Sequence, residues 1–328
     1  MRLLVTGGAG FIGAHFVRHA LGADASVRVT NLDALTYAGT LTSLHDLEDH
    51  PRHAFVRGDV TDPQVVDELM RDAEAVVHFA AESHVDRSID GPAAFLHTNV
   101  DGAGVVFEAA RRHEVARVLH ISTDEVYGSI EQGSFTEGDP LSPNSPYAAS
   151  KAAADLLAHA YRQTYDVPIM VTRTTNNFGP YHFPEKMIPL FVTNLLDGRR
   201  VPLYGDGGNV RDWTYVLDNC EAQWRVLTEG EPGEVYNVGA GNERSNLELT
   251  RLLLERLGHG EDMIERVADR PGHDRRYSVD TAKVRALGWT PRHRLDDALD
   301  ATIAWYHDNE WWWRPLVAAG AATRRGRA

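Results

Sequence analysis

The sequence contains only one cysteine, Cys220, among 328 residues. A disulfide within the chain is therefore excluded, and the composition fits a reducing compartment. Apolar runs of transmembrane length are also missing, and the first apolar segment, residues 3–5, ends before Gly7 and Gly8. We therefore expect neither a membrane span nor a signal peptide. Together these features predict a cytoplasmic protein.

Positive charge is scarce as well. The formal net charge is -14, which disfavours nucleic acid or an anionic membrane as a partner. An anionic ligand would have to be bound by a local cluster of cations. Of the 33 basic residues, only Lys151, Lys186 and Lys283 are lysines, so these positions are candidates for sites that need a compact ammonium with a tunable pKa.

The hydrophobic and charged fractions, 43% and 24%, are those of an ordinary globular protein that is large enough for two domains. A short apolar strand, Arg2–Thr6, precedes the glycine pattern Gly7-x-x-Gly10-x-x-Gly13 and a helical pattern. This order of elements predicts a phosphate cradle, in which backbone N–H groups and the helix dipole face a pyrophosphate.

A second strand ends at Asp33, twenty residues after Gly13. An acidic residue there can accept hydrogen bonds from ribose hydroxyls and repel a 2′-phosphate, and no arginine follows it directly. The pattern favours NAD over NADP, although an acidic residue at a strand end can also be a simple turn residue. The third strand, predicted over 55–60, would place Asp59 near an adenine amino group.

The stretch from Ile121 to Lys151 carries the chemistry. An apolar strand ends at Thr123, Asp124 and Glu125, and a helix capped by Ser145 presents Tyr147 and Lys151 on one face. A lysine at that spacing can lower the pKa of the phenol, and two carboxylates can divide the duties of acid and base. Taken alone, the tyrosine-lysine pair could be an exposed surface pair, and the carboxylates could be a solvated turn.

Strands and helices alternate from residue 2 to about 175, and then the loops lengthen. The alternation predicts an α/β fold: a Rossmann-type, doubly wound parallel sheet with a smaller α/β C-terminal substrate-binding lobe. We expect residues 1–175 to form the NAD-binding domain, with a return of the chain around 214–240, and residues 176–316 to form mainly the lobe. Three consecutive tryptophans, 311–313, are expected to cover the core of the lobe, and residues 317–328 to be a disordered tail.

With these residues in hand, the chain resembles the extended short-chain dehydrogenase/reductase superfamily and, within it, the dTDP-glucose 4,6-dehydratase family, over residues 1 to about 315. The resemblance is carried by Thr-Gly-Gly-Ala-Gly-Phe-Ile-Gly at 6–13, Asp-Ala-Leu-Thr-Tyr-Ala-Gly at 33–39, His-Phe-Ala-Ala-Glu-Ser-His-Val-Asp-Arg-Ser at 78–88, Ser-Thr-Asp-Glu-Val-Tyr-Gly at 122–128, Asn-Asn-Phe-Gly-Pro-Tyr-His-Phe-Pro-Glu-Lys at 176–186 and Asp-Arg-Pro-Gly-His-Asp-Arg-Arg-Tyr at 269–277. Sugar epimerases of the superfamily lack the carboxylate pair that here follows Thr123.

The resemblance implies a mechanism. Tyr147, kept ionised by Lys151 and the nicotinamide, takes the sugar C4 hydroxyl proton while hydride passes to NAD, and Thr123 polarises that oxygen. Glu125 then removes the C5 proton, Asp124 protonates the departing C6 hydroxyl, and hydride returns to C6. Asp124 must be protonated and Glu125 ionised when they act, so we expect their environments to separate the two pKa values.

The resemblance also implies sites for the ligands, and no metal. Cofactor-binding positions are Gly7, Gly10, Phe11, Ile12, Gly13, Asp33, Leu35, Thr36, Asp59, Val60, Ala80, Ala81, Thr98, Tyr147, Lys151 and Asn177. Substrate-binding positions are Ser83, Thr123, Asn176, Lys186, Met187, Pro202, Tyr204, Arg211, Asn246, Arg270 and His273, of which Arg211 and Arg270 would bind the diphosphate. A homodimer is implied too, with helices near 101–113 and 147–163 forming a four-helix interface.

Other functions remain open at this point. A 4,6-dehydratase or epimerase for another nucleotide sugar would share most of these motifs, and a uracil differs from a thymine by one methyl group, worth about 1–3 kcal/mol in a pocket. A non-catalytic NAD-binding regulator could have the same fold. It would be expected to lose Thr123, Asp124, Glu125, Tyr147 and Lys151, all of which are present.

Overall fold

The computed structural model of the protein describes residues 1–325. Its strands, in chain order, are β1 (Arg2–Thr6), β2 (Arg28–Asp33), β3 (His53–Arg57), β4 (Ala75–His78), β5 (Arg117–Thr123), β6 (Ile169–Thr174), β7 (Asn176–Phe178), β8 (Val201–Tyr204), β9 (Val210–Tyr215), β10 (Val235–Val238), β11 (Glu243–Ser245) and β12 (Ile264–Val267). The helices are α1 (Phe11–Ala23), α2 (Pro63–Met70), α3 (Val85–Asp90), α4 (Pro92–Leu96), α5 (Gly102–Arg112), α6 (Pro146–Tyr165), α7 (Met187–Leu196), α8 (Val216–Glu229), α9 (Asn246–Arg256), α10 (Ala282–Ala286), α11 (Leu295–Asp308) and α12 (Glu310–Arg325).

Seven strands form one parallel sheet in the order β10-β6-β5-β4-β1-β2-β3. Two apolar cores cover its faces: one includes residues of α1 and α8, and the other includes residues of α2, α5 and α6. The central strands β1, β4, β5 and β6 are almost entirely buried, as expected for strands covered on both faces, whereas the edge strand β3 is partly exposed. The predicted doubly wound α/β sheet is therefore confirmed, and β10 joins it beside β6.

The strand order reverses between β1 and β4, since the chain runs outward to β3 on one side and to β6 on the other. In open α/β sheets, ligands bind in the crevice beyond the carboxyl ends of the strands at this switch point. The segments that leave β1, β2, β4 and β5 contain the glycine turn, Asp33, the alanine pair 80–81 and the carboxylate pair 124–125. The topology thus brings four separate motifs to one edge of the sheet.

A third core lies in the C-terminal lobe, where α7, α9 and α11 surround the fully buried Trp313 and the nearly buried Trp312. A three-stranded sheet, β11-β9-β7, and a two-stranded sheet, β12-β8, complete this region. Two of the three tryptophans thus cover the lobe as predicted, whereas half of the Trp311 side chain is exposed.

The structure differs from the sequence prediction in several elements. Helix α3 and strands β7, β9, β11 and β12 were not expected. A turn of π-helix, His97–Asp101, precedes α5, which is the helix expected near 101–113. The prediction of a disordered tail from Val317 is wrong up to Arg325, because helix α12 continues to that residue. The rest of that prediction, residues 326–328, lies outside the described residues. Within residues 1–325, no helix is both long and apolar enough to span a membrane.

Candidate active site

A cavity of about 340 Å³ opens at the carboxyl ends of the parallel strands. Its walls are the glycine turn after β1, the loops after β2, β4 and β5, the N-terminal half of α6 and the segment 174–188. Most of the lining residues belong to motif segments identified from the sequence; Asp59, Val60 and Thr98 are single predicted positions, and Trp213 comes from β9. The cavity therefore combines the predicted nucleotide cradle and the predicted reactive groups in one space.

The glycine turn has the geometry of a pyrophosphate cradle. Gly7 has a φ of +73°, and a Cβ there would lie 2.5 Å from the backbone nitrogen of Ala80. A Cβ on Gly13 would lie 2.3 Å from the carbonyl oxygen of Gly7, so α1 can approach the turn only with glycine at that position. Gly10, the N-cap of α1, makes no side-chain cap, and the first-turn amides are left for an anion. The turn fits a dinucleotide such as NAD.

Asp33 is buried at the end of β2, and its two carboxylate oxygens accept hydrogen bonds from the amides of Ala9 (2.9 Å) and Leu35 (2.8 Å). These bonds fix the carboxylate between the glycine turn and the next loop. Burial raises the pKa of Asp33, and the two amides oppose that rise. Asp33 faces the cavity, where each oxygen has a second lone pair for a ribose hydroxyl.

The predicted cofactor positions come together with one exception. Fifteen of them line the cavity: Gly7, Gly10, Phe11, Ile12, Gly13, Asp33, Thr36, Asp59, Val60, Ala80, Ala81, Thr98, Tyr147, Lys151 and Asn177. Leu35 does not; its backbone has a φ of +53° and its amide bonds Asp33. Neighbouring Asn99 is satisfied within the protein, because its amide bonds Glu82 and Ser150.

Thr123 ends β5, and Asp124 and Glu125 begin a short 3₁₀-helix. The hydroxyl of Thr123 donates to Asp124 Oδ1 (3.3 Å) and accepts a hydrogen bond from the amide of Glu125 (3.3 Å). The other oxygen of Asp124, Oδ2, is buried and has no hydrogen-bond partner among the described residues. A buried polar atom without a partner is costly, so Asp124 Oδ2 marks a place where a ligand oxygen would be bound.

Tyr147 and Lys151 lie one turn apart on α6, which begins as predicted with Ser145 as its cap: the Ser145 hydroxyl accepts a hydrogen bond from the amide of Ala148 (3.1 Å). Lys151 is buried and donates from Nζ to the carbonyl oxygen of Ile121 (2.6 Å). This bond ties α6 to the end of β5 and so holds the phenol beside Thr123. The two sequence motifs are thus coupled by one lysine.

Burial lowers the pKa of Lys151 to about 8, and the nearby carboxylate of Asp155 opposes that shift. Lys151 was expected to lower the pKa of Tyr147 together with the positive charge of the nicotinamide. Burial and the Glu125 carboxylate raise the pKa of Tyr147, although a hydrogen bond with Thr123 acts in the opposite direction. The protein's own groups therefore favour the neutral phenol, and further positive charge in the cavity is needed for a phenolate.

The two carboxylates have different surroundings. Burial raises the pKa of Asp124 well above its usual value, and the charges of Glu125 and Asp212 add to that rise. Burial also raises the pKa of Glu125, but three cations, Arg270, Lys186 and Arg211, oppose it. The surroundings of Asp124 thus favour its protonated form, whereas the three cations favour the ionised form of Glu125.

The predicted substrate positions divide into two groups. Ser83, Thr123, Asn176, Lys186 and Met187 line the cavity, whereas Pro202, Tyr204, Arg211, Asn246, Arg270 and His273 do not. Lys186 donates to the carbonyl oxygen of Ser83 (2.6 Å). The second group belongs to the C-terminal lobe, beyond the end of the cavity that holds Glu125.

Arg270 is the member of this second group with spare hydrogen-bonding capacity. One of its amino groups lies 3.4 Å from Asp86, to which Tyr204 also donates (3.0 Å), while its buried Nε has no partner among the described residues. Arg211, by contrast, donates to the carbonyl oxygens of Val210 (2.7 Å) and Asp274 (2.9 Å). Two of the five N–H donors of Arg211 are thus used within the protein, and the buried Nε of Arg270 is available to a ligand.

Several cavity residues were not predicted, namely Tyr37, Glu82, His182, Phe183, Glu185 and Trp213. All except Trp213 lie within motifs quoted from the sequence, at 33–39, 78–88 and 176–186. Their positions within these motifs could have identified these five residues from the sequence. Trp213 comes from β9, an element that the sequence did not reveal.

Comparisons with known proteins agree with this geometry. The family model for GDP-mannose 4,6 dehydratase matches residues 4–302. The chain is 54% identical to the dTDP-glucose 4,6-dehydratase of Streptomyces antibioticus, over 99% of both chains, and 52% identical to that of Streptomyces niveus, over 98% of both. It is also similar to the crystal structure of the dTDP-glucose 4,6-dehydratase from Streptomyces venezuelae with NAD and TYD bound: the TM-score is 0.95 and the identity 52%, over 96% of this chain and 100% of that one. The motifs, the fold and these matches agree, and the chain belongs to the dTDP-glucose 4,6-dehydratase family.

Proposed function

We propose that this protein dehydrates dTDP-glucose to dTDP-4-keto-6-deoxyglucose, as a carbon–oxygen lyase that uses bound NAD. The observation that carries the proposal is the meeting of Thr123, Asp124 and Glu125 with Tyr147 and Lys151 in the cavity that also contains the glycine turn. An epimerase needs only a base beside the sugar C4 hydroxyl. The two additional carboxylates support an elimination across C5 and C6.

The residues act in the following order. The phenol oxygen of Tyr147 takes the C4 hydroxyl proton, and the Thr123 hydroxyl orients the same sugar oxygen. When bound, NAD supplies the hydride acceptor for C4, the hydride donor for C6 and the positive charge that favours the Tyr147 phenolate. Once C4 is a ketone, Glu125 removes the acidified C5 proton and Asp124 delivers its proton to the departing C6 hydroxyl, which leaves as water. Glu125 returns a proton to C5, and the proton gained by Tyr147 balances the one that Asp124 gave to the departing water.

The charges around Asp124 and Glu125 fit their proposed roles as acid and base. Asp124 is buried and its neighbours include two carboxylates, so it retains its proton and can donate it. Glu125 is surrounded by Arg270, Lys186 and Arg211, which favour the anion that a base requires. We assign the substrate diphosphate to Arg270 and the segment 176–187, because the Nε of Arg270 is a buried donor without a partner among the described residues and the segment contains the cation Lys186.

The proposal extends to domain roles, location and assembly. Residues 1–175, with the return at 214–240, would bind NAD, and residues 176–316 mainly the nucleotide sugar. The single cysteine supports a cytoplasmic location. A homodimer is supported by exposed apolar side chains on α4 and α6, namely Leu96, Leu156 and Tyr165. Its mass from light scattering tests the dimer directly.

The test of function is incubation of the purified protein with dTDP-glucose and no added NAD. We expect a product lighter by one water, the alkaline absorbance of a 4-keto-6-deoxy sugar and no net reduced NAD. Turnover of a UDP-sugar but not of dTDP-glucose would retain the mechanism and overturn the substrate. Inactivity toward every nucleotide sugar, in folded protein that binds NAD, would favour the alternative of a non-catalytic NAD-binding regulator.

A further inference from the structure

Three side chains from three separate segments meet at one wall of the cavity. Arg87, on α3, places its guanidinium 3.7 Å from the ring centroid of Tyr37, which lies in the loop after β2. The same guanidinium donates to Glu185, in the loop before α7, from Nη2 (2.9 Å) and Nε (3.1 Å). Phe183 packs edge-on against the Tyr37 ring, with centroids 5.5 Å apart. We call Tyr37, Arg87 and Glu185 the wall cluster.

The members of the wall cluster occupy different depths. Tyr37 and Glu185 line the cavity, and the Glu185 side chain is only 8% exposed. Arg87 does not line the cavity, and its side chain is 48% exposed. At this point the wall consists of Tyr37 and Glu185, and Arg87 bridges the two from the solvent side. Removal of Arg87 would take away that link and leave the hydrogen bond between the Tyr37 hydroxyl and Glu185.

Arg87 is a cation beside two acidic residues of this wall, Glu82 and Glu185, and Lys186 also lies near Glu185. Glu82 also lines the cavity; its burial and the charge of Glu185 raise its pKa, while Arg87 opposes that rise. Without Arg87, the two carboxylates would repel each other across the wall. Ion pairs and cation–π contacts at half-exposed sites are individually weak, so these interactions can break and re-form on the time scale of loop motion.

The position of Tyr37 connects the cluster with the cofactor. It follows Asp33 and Thr36, two of the assigned cofactor positions that line the cavity. The proposed reaction returns its hydride in every cycle, so the protein has no need to exchange NAD between turnovers. We propose that Arg87 is a latch that holds the wall of Tyr37 and Glu185 closed and thereby slows the release of NAD; this inference rests on the proposed function only in taking NAD as the bound dinucleotide.

The test measures NAD release, separately from activity. Wild type and Arg87→Ala are loaded with a fluorescent etheno analogue of NAD, and its loss is followed after mixing with excess NAD. Because one cation–π contact and one half-exposed ion pair are lost, we expect release to become roughly tenfold faster. The matched control is Arg251→Ala: Arg251 is 53% exposed and pairs with Glu261 in the other lobe, and its loss should change neither release nor dehydration.

Two further variants separate the latch from a general loosening of the fold. Tyr37→Phe retains the ring beneath the guanidinium, so we expect slow release, whereas Tyr37→Leu removes the ring and should behave like Arg87→Ala. Equal release rates in wild type, Arg87→Ala and Tyr37→Leu would overturn the latch while leaving the dehydratase intact. Wild-type protein that binds no NAD at all would instead overturn the proposed function itself.

Discussion

Asp155 accepts a hydrogen bond of 2.9 Å from Nε of Arg173, and both side chains are buried behind the catalytic face of α6. Asp155 lies one helical turn beyond Lys151, which lies one turn beyond Tyr147. Against the effect of burial, the Asp155 carboxylate raises the pKa of Lys151. The buried ion pair therefore contributes to the charge state of the active site as well as to the packing of α6 on β6.

Asp155→Asn should lower the pKa of Lys151 below about 8, because a buried carboxylate that favours the ammonium is lost. We expect the alkaline limb of the pH profile of dehydration to move to lower pH. The variant should also lose about 3–5 kcal/mol of stability, since the Arg173 charge is left buried and unpaired. Rate profiles from neutral to alkaline pH and denaturant unfolding measure the two effects.

A double variant separates these effects. Asp155→Asn with Arg173→Met removes both charges and should recover much of the stability, but the alkaline limb should stay displaced. An unchanged limb in the single and the double variant would show that Asp155 acts only in packing.

Asp124→Asn should make the protein more stable than wild type near neutral pH, although less active. Folding raises the pKa of Asp124, so the stability associated with this group is fully present below the unfolded pKa and is lost as the pH rises toward the folded one. Each unit of pKa difference is worth about 1.4 kcal/mol. The gap between the melting temperatures of variant and wild type should therefore be small in acid and widen toward neutrality, and a gap that is independent of pH would contradict the raised pKa.

Glu125→Gln should abolish proton exchange at C5, because the proposed base is lost while Tyr147 and Thr123 remain. We expect overall dehydration to slow by about 10²–10⁴-fold. Incubation with dTDP-glucose in deuterated water, followed by mass spectrometry of the recovered sugar, measures the exchange. Asp124→Asn is the matched comparison: it should slow the loss of the C6 hydroxyl and yet retain deuterium uptake at C5, and loss of uptake in both variants would contradict the assigned roles.

Arg270→Gln should weaken binding of the nucleotide sugar, with KM raised by roughly tenfold or more and a smaller change in kcat. The reason is the buried, unpartnered Nε of Arg270, which we assign to the diphosphate. Arg275→Gln is the control from the same motif, since Arg275 is exposed and pairs with Asp206. Equal KM values for the two variants would remove Arg270 from the substrate site.

The sequence was sufficient to predict the parts of the site that follow strand ends in the parallel sheet. The glycine turn, Asp33 and the carboxylate pair each adjoin a buried apolar run, and parallel topology brings such ends together. The sense of the Tyr147 pKa was not predictable, since it depends on how closely Glu125 and the apolar walls surround the phenol. Helical spacing gives the neighbour on the helix, but not the neighbours across the cavity.

The lobe was harder to predict, because its contacts are made between segments far apart in the chain. Arg211 matches the diphosphate motif by position, yet both of its amino groups bond backbone carbonyls, one of them that of Asp274, sixty-three residues away. Likewise, Arg87 and Glu185 are ninety-eight residues apart. Neither the backbone contacts of Arg211 nor the wall cluster follows the periodicity of a helix or a strand, so the sequence alone does not predict them.

Trp313→Ala should destabilise the protein by about 3–5 kcal/mol, whereas Trp311→Ala should change stability by about 0.5 kcal/mol or less. Trp313 is fully buried and donates from its indole to the carbonyl oxygen of Tyr306 (2.7 Å), so truncation leaves a cavity and an unpaired acceptor. Trp311 is half exposed, donates a hydrogen bond to Asn309 two residues away and packs edge-on against the His45 ring. Denaturant unfolding of both variants compares two tryptophans that lie two residues apart. Similar losses of stability in the two variants would show that the Trp311 side chain is covered in solution, for instance by another protomer.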